Sequence, residues 1–296
     1  MIEKTQTIDI PHLGGSTVGY RLGKQYDPTL PTLIMNNSFT TSAELFEPQF
    51  IDSALMEVAN LLAIEPYGHG STYATYQQFT YWDSAIANLQ VMDALGIDEA
   101  FALGTSQGGW IVTQTAMLAP DRIKGLILVG TSMDNESRRS QELGCWDGTE
   151  FCTPAIDALA EPVSEDWMVP DTFVEDVLGA GLGDTVTPDD QAFWLDVYRQ
   201  NYRGNAGRER LRICAINLRD RDSLIARLYS VTCPVLWMQG TADAVYSVAN
   251  AEECIERFSH SAHAQLKIID GGQHFMSASD PQHVNPATVE FIKKWR

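Results

Sequence analysis

Three residues of this chain have the types and chain positions for nucleophilic attack on a carbonyl: Ser106, Asp243 and His274. A serine hydroxyl becomes a useful nucleophile only when a base takes its proton and a third group holds that base in place. Ser106 stands in LGTSQGGW (103–110), with Gly104 two places before it and Gly108 and Gly109 just behind. The spacing G-x-S-x-G fits a sharp strand-to-helix turn in which glycines leave clearance for neighbouring backbone. Asp243 lies in QGTADAVYS and His274 in GGQHF, each directly after an apolar run. Asp134, at the end of VGTSMD, is an alternative acid, and Asp243 has the alternative duty of capping a helix that begins near Ser247. His69, in GHG, reads as a residue that fixes its own turn.

These side chains need a scaffold, and the pattern of the chain supplies one. The runs TLIMNN (32–37), ANLLAIEP (59–66), EAFALGTS (99–106), IKGLILVGTS (123–132), CPVLWMQG (233–240) and AQLKIIDG (264–271) read as buried strands. Such nearly continuous apolar runs are expected of parallel strands covered on both faces. KTQTIDI and STVGYRLG read as an antiparallel hairpin at one edge. Helical patterns alternate with the runs. Segment 80–96 opens with Thr80 and Asp83 in capping-box spacing and presents Trp82, Ile86, Leu89, Met92 and Leu95 on one face. Segment 107–119 follows Ser106, and 285–296 is expected to start with Asn285 as cap and Pro286 at the first helical position. The alternation predicts an α/β fold with a mostly parallel central sheet flanked by helices. The candidate side chains then stand at strand C-terminal ends, where open α/β sheets place their ligands.

Residues 134–227 break the alternation and hold no convincing strand. They read as an inserted helical cap, with 1–133 and 228–296 forming the core domain. The stretch 134–198 holds 16 acidic and 2 basic residues, whereas 199–227 holds 3 acidic and 8 basic ones. The cap aromatics Trp146, Trp167, Trp194, Tyr198 and Tyr202 serve either as the lining of an apolar substrate site or as the cap's own core.

The whole chain of 296 residues is acidic, with 20 Lys and Arg against 39 Asp and Glu. A formal charge of −19 repels phosphate backbones and anionic lipid surfaces, so neither nucleic acid nor membrane is expected as a partner. No apolar run approaches the about 20 residues that span a bilayer. The first residues lack a basic start followed by an apolar core, which points to a cytoplasmic protein. Five cysteines form a sparse set without a C-x-x-C pair. Cys145 and Cys152 could bridge in an oxidising compartment, and free thiols are the expectation in the cytoplasm.

Taken together, GTSQGG (104–109), EPYGHGST (65–72), GTAD (240–243) and GGQHF (271–275) resemble the α/β-hydrolase fold superfamily, in its capped form. The resemblance runs from the edge hairpin to the terminal helix. It implies Ser106 as nucleophile, His274 as general base and then acid, and Asp243 as the group that orients it. It also implies an oxyanion hole that includes the Gln107 N–H. The second donor of the family follows a His-Gly pair after the first parallel strand, but this chain reads MNNSFTTSAELF. Alignment sets Asn37-Ser38 on that pair, which makes Phe39 N–H the expected second donor and Ser38 N–H the next. Asn37 and Thr40 are expected to offer side-chain hydrogen bonds to substrate or loop, and Trp146, Trp167 and Trp194 are the substrate-binding candidates of the cap. The reaction so implied is hydrolysis of an ester, lactone or related carbonyl compound of largely apolar character, without metal or organic cofactor. The same three side chains would also suit a carbon–carbon bond hydrolase, a perhydrolase or an acyltransferase, and the fold also suits a ligand receptor without turnover. A homodimer is left open.

Overall fold

In the computed structural model, residues 4–76 and 78–296 are described, so the first three residues of the segment read for a leader lie outside it. Nine strands form one sheet among the described residues: β1 (Gln6–Ile10), β2 (Ser16–Leu22), β3 (Thr32–Asn36), β4 (Asn60–Ile64), β5 (Tyr73–Ala74), β6 (Ala100–Thr105), β7 (Ile123–Val129), β8 (Val235–Gly240) and β9 (Ala264–Ile269). The strand order is β1-β2-β4-β3-β6-β7-β8-β9, with β5 paired to β2. From β4 to β9 along that order every pairing is parallel. The hairpin β1–β2 joins antiparallel, and β2 carries it onto β4.

Strand pleating explains why these runs had to be apolar throughout. In β3, Leu33 and Met35 face one layer while Ile34 faces the other; β7 divides in the same way, with Ile127 opposite Leu126 and Leu128. One layer packs beneath the helix Tyr81–Ala94, the helix Gln107–Leu118 and the helix Val248–Ile255. The other packs beneath Phe46, Phe50 and Leu55 and the terminal helix Pro281–Trp295. β9 departs from the expectation of a buried strand. It is the last strand of the sheet, and Ile268 is 46% exposed.

Two helices also depart in detail. The terminal helix starts at Pro281 rather than Pro286, which lies inside it. Asn285 is therefore no cap. Its side chain donates to Asp52 Oδ2 (2.9 Å) and accepts from Gln49 Nε2 (2.8 Å), tying the helix to the loop after β3. In the helix Tyr81–Ala94 the fully buried side is Tyr81, Ser84, Ala85, Asn88, Val91 and Met92, while Trp82, Ile86, Leu89 and Leu95 lie only half-buried on its flank. Small and hydrogen-bonded residues face inward because the helix packs close. Asn88 Nδ2, for example, donates to Asn36 Oδ1 (2.7 Å) on β3 and to Thr115 Oγ1 (3.1 Å).

Between β7 and β8 lie the helices Arg138–Glu142, Gly148–Ala158, Asp171–Leu182, Pro188–Asn201 and Gly204–Arg219. Their shared core holds Val174, Leu178, Trp194, Tyr198, Tyr202 and Leu211, and it takes in Phe39 and Phe275 from the body below. The five cysteines are free thiols. No helix of the described residues is long and apolar enough to cross a membrane.

One buried carboxyl braces the floor of this arrangement. Glu65, at the end of β4, is 2% exposed and accepts from Ala43 N (3.1 Å) and Ser71 N (2.7 Å). Burial is the main influence and raises its carboxyl from 4.5 to about 7, against the pull of those two donors and of Arg210. The folded protein thus holds a proton there that the unfolded chain releases. Its contribution to stability is complete below pH 4.5 and is lost as the pH rises through about 7. Over that window the change is of order 3 kcal/mol. Thermal unfolding between pH 4.5 and 7.5 is expected to show this slope in the wild type and a flatter one in Glu65→Gln, the difference between the two curves isolating the one group.

Candidate active site

Ser106 sits between β6 and the helix Gln107–Leu118 with φ 55° and ψ −121°, a left-handed conformation that few side chains adopt. The strand enters, the chain reverses at one residue, and the helix leaves. Clearance explains the glycines on either side. A β-carbon on Gly104 would lie 2.2 Å from Gly108 O, and one on Gly108 would lie 2.1 Å from Asn36 O. Backbone meets backbone there, so no side chain can swing aside to make room.

The turn presents Ser106 Oγ to His274. The hydroxyl donates to His274 Nε2 at 2.8 Å, and His274 Nδ1 donates to Asp243 Oδ2 at 3.0 Å. His274 is 4% exposed, and the Asp243 side chain is fully buried. Asp243 is held from three further directions. Its Oδ1 accepts from Val245 N (2.8 Å) and Tyr246 N (2.9 Å), and its Oδ2 also accepts from Gln239 Nε2 (2.8 Å). Those bonds fix the imidazole tautomer, with its proton on Nδ1 and Nε2 free to accept. Asp134 takes no part, since its carboxylate receives the Ser137 hydroxyl instead.

The residues expected around this chain divide into two groups. Ser38, Phe39 and Trp146 line the same cavity as Ser106 and His274, together with Phe151, Val177, Gly181, Leu218, Val245, Tyr246 and Phe275. Asn37, Thr40, Trp167 and Trp194 do not line it. Asn37 Nδ2 donates within its own loop, to Thr41 O (2.8 Å) and Ser38 O (3.1 Å). Thr40, at φ 56°, meets Tyr198 OH at 2.6 Å and so ties that loop to the cap. Trp194 is 4% exposed within the cap core, and Trp167 packs at its margin. Large aromatic side chains in a layer of helices are drawn first into the gaps between the helices, where they bury the most area.

Gln107 opens its helix, so its N–H is among the four at a helix start that have no acceptor within the helix. Its side chain is clamped. Gln107 Oε1 accepts from Tyr81 OH (3.0 Å), and Gln107 Nε2 donates to His69 Nε2 (2.8 Å). His69 can accept there because its Nδ1 donates to Tyr67 O (2.9 Å). Burial lowers the His69 imidazole from 6.5 to about 4, so the ring stays neutral and the clamp holds through the physiological range. His69 thus fixes more than its own turn.

Sequence patterns alone had not singled out Gln239, Tyr246, Phe275 or Tyr81. Gln239 left a signal, as the one polar side chain in the apolar run VLWMQG. Tyr246 packs edge-on to His274 with ring centroids 5.4 Å apart and accepts from Arg221 Nη2 (3.2 Å). Arg221 is itself buried, paired with Glu136 at 2.6 Å. Phe275 N donates to Gly181 O (2.6 Å), which latches the helix Asp171–Leu182 of the cap to the histidine loop.

The cavity at Ser106 measures about 30 Å3, room for one or two waters. A roomier cleft of about 290 Å3, lined by Tyr73, Tyr76, Arg203 and Arg210 among others, contains none of Ser106, Asp243 and His274. Ser106 and His274 therefore open onto the smaller space.

Comparison with known proteins agrees with this fold. Residues 31–147 match the family model described as alpha/beta hydrolase fold. In structure, the esterase EaEST from Exiguobacterium antarcticum superposes with a TM-score of 0.80 at 18% identity, covering 97% of this chain and 100% of that one. This chain has the α/β-hydrolase fold. The enol-lactonase from Burkholderia xenovorans LB400 shares the fold at a TM-score of 0.77, with 20% identity over 97% of this chain and 100% of that one. In sequence, 3-oxoadipate enol-lactonase 2 of Acinetobacter baylyi is 22% identical over 267 residues, 90% of each chain. In that fold, β6 and the helix behind it stand where a nucleophile elbow would lie, and the five helices between β7 and β8 stand where a cap would.

Proposed function

We propose that this chain is a serine hydrolase that cleaves an ester, lactone or related carbonyl compound through an acyl-enzyme. The observation that carries the reading is the hydrogen-bonded series Ser106 Oγ, His274 Nε2, His274 Nδ1, Asp243 Oδ2, which starts from a serine in a left-handed turn. Ser106 Oγ attacks the carbonyl carbon while its proton passes to His274 Nε2. The carbonyl oxygen becomes an oxyanion, held by the N–H of Gln107 and that of Phe39 or Ser38. One such donor contributes on the order of 3 kcal/mol to the transition state. Collapse expels the alcohol or ring oxygen, which takes the proton back from His274. A water then repeats the sequence on the acyl-enzyme and restores the free serine. Asp243 stays ionised throughout and stabilises the imidazolium.

The lining supports a neutral, largely apolar substrate. Phe39, Phe151, Val177, Leu218, Val245 and Phe275 surround the reacting pair, and no acidic or basic side chain other than His274 lies in the wall. An anionic substrate would find no counter-charge there. Esters and lactones suit this wall, and the enol-lactonase relatives make lactones the first compounds to try. Since the space is small, a substrate of more than a few atoms enters when the cap shifts, and the Phe275–Gly181 hydrogen bond beside His274 is one of the contacts that then gives way.

A fluorophosphonate probe tests the reading directly. Mass spectrometry with peptide mapping is expected to find one adduct, on Ser106, in the wild type. Its absence from folded wild-type protein would overturn the hydrolase reading and favour a receptor. A product assay that offers an ester, a lactone and a β-diketone side by side then separates acyl–oxygen from carbon–carbon cleavage.

A further inference from the structure

The wall around Ser106 contains one hydroxyl with nothing to do. Ser38 is 1% exposed, lines the cavity with Ser106 and His274, and its Oγ has no hydrogen-bond partner. Buried polar atoms are rarely left so, and each one in a folded protein calls for a reason. The carbonyl of the same residue is fully engaged. Ser38 O accepts from Thr41 N (3.2 Å), Thr41 Oγ1 (2.8 Å) and Asn37 Nδ2 (3.1 Å). The loop is thus braced at this residue, while its side chain is left over.

We infer that Ser38 Oγ–H is a hydrogen-bond donor to the developing oxyanion, and so a catalytic residue beside the backbone N–H groups. The inference rests on the hydrolase reading above. An oxyanion is a pure acceptor, so the hydroxyl turns its proton toward it and leaves its lone pairs unused. The geometry is set before substrate arrives, because Asn37 and Thr41 hold the loop by side-chain bonds and Thr40 fastens it to Tyr198 in the cap. A donor fixed in a dry, apolar wall needs little reorganisation as charge develops, which is the condition under which such contacts contribute most. Of the other side-chain polar groups in the wall, Trp146 Nε1–H is also without a partner, but it sits on an indole of the cap and not on the braced loop after β3. The Ser106 hydroxyl is committed to His274, and the Tyr246 hydroxyl already receives Arg221.

The test needs no knowledge of the natural substrate. Ser38→Ala and Ser38→Gly both delete the hydroxyl, one keeping and one removing the β-carbon. In each, the second-order rate of Ser106 labelling by the fluorophosphonate and kcat on p-nitrophenyl acetate are expected to fall by about 10²-fold. KM should stay within about threefold, because the interaction strengthens only as charge develops. The Tm of Ser38→Ala should be equal to or above that of the wild type, since an unpaired buried hydroxyl has been removed. Rates within about twofold of the wild type in either variant would overturn the inference. So would a loss confined to KM, or a loss matched by a fall in Tm, since these mark ground-state binding or loop structure. If wild-type Ser106 itself is not labelled, the hydrolase reading fails and this inference falls with it. If it is labelled and Ser38→Ala keeps pace, this inference alone fails.

Discussion

His274→Ala is expected to lower kcat on a small ester by about 10⁴- to 10⁶-fold and to abolish labelling of Ser106 on the timescale of the wild-type reaction. Among the described residues, the imidazole is the only group hydrogen-bonded to Ser106 Oγ that can take its proton. Without it the hydroxyl has to ionise near its own high pKa, and what remains is binding and oxyanion stabilisation. Asp243→Asn should cost about 10⁴-fold, because an amide facing Nδ1 can present N–H and turn the proton of the ring to the wrong nitrogen. Parallel kinetics on Asp134→Asn decide which acid serves. Activity close to the wild type is expected there, and a loss larger than that of Asp243→Asn would transfer the orienting role to Asp134. The distances favour Asp243, whose Oδ2 lies 3.0 Å from His274 Nδ1, while Asp134 is engaged with Ser137.

Gly108→Ala is expected to damage both stability and activity. The added β-carbon would lie 2.1 Å from Asn36 O and 3.1 Å from Asn37 O. To accommodate it, the helix Gln107–Leu118 must draw back from the C-terminal end of β3, or β3 must shift within a sheet bonded on both sides. Overpacking against backbone of this kind costs about 3 kcal/mol or more. The loop that begins at Asn37 carries the proposed second oxyanion donor, so kcat should fall even at temperatures where the variant stays folded. Thermal unfolding and ester kinetics on the same preparation measure both effects. Gly179→Ala is the control, since a β-carbon there would meet nothing within 4 Å and the residue lies inside the helix Asp171–Leu182. That change should be neutral or slightly stabilising. Comparable damage in the two variants would show that the close approach at Gly108 is not what matters.

The two outcomes would bear on different levels of the protein. Loss of His274 removes a proton acceptor and leaves the scaffold standing. The Gly108 substitution disturbs the scaffold and reaches the chemistry through it, because the nucleophile and the oxyanion loop meet where helix and strand come closest.

Much of this site was legible in one dimension. Strands buried on both faces must be apolar at every position, so their runs stand out and their C-terminal ends can be located. Ser106 and Asp243 each follow such an end and His274 follows the last strand, β9, and a parallel sheet brings those ends to one edge whatever the details of packing. The glycines of LGTSQGGW were legible for a related reason, because backbone clearance is a local demand written in local residues. Other assignments waited for the folded chain. Asn285 has the residue type of a cap, yet its amide bridges Gln49 and Asp52, a use that depends on where the loop after β3 lies. Trp194 and Trp167 have the character of a substrate wall, but the helices of the cap enclose them, and Trp146 alone of the three reaches the cavity. The clamp on Gln107 joins His69, Tyr81 and Tyr67 from separate segments. The unpartnered hydroxyl of Ser38 is likewise invisible in a sequence, since having no partner is a property of everything packed around it. Periodicity and turn chemistry are local and so survive in the order of residues. Which side of a helix faces inward, which polar group finds a mate and which is left for a substrate are settled by contacts between segments far apart in the chain, and only the tertiary structure brings those together.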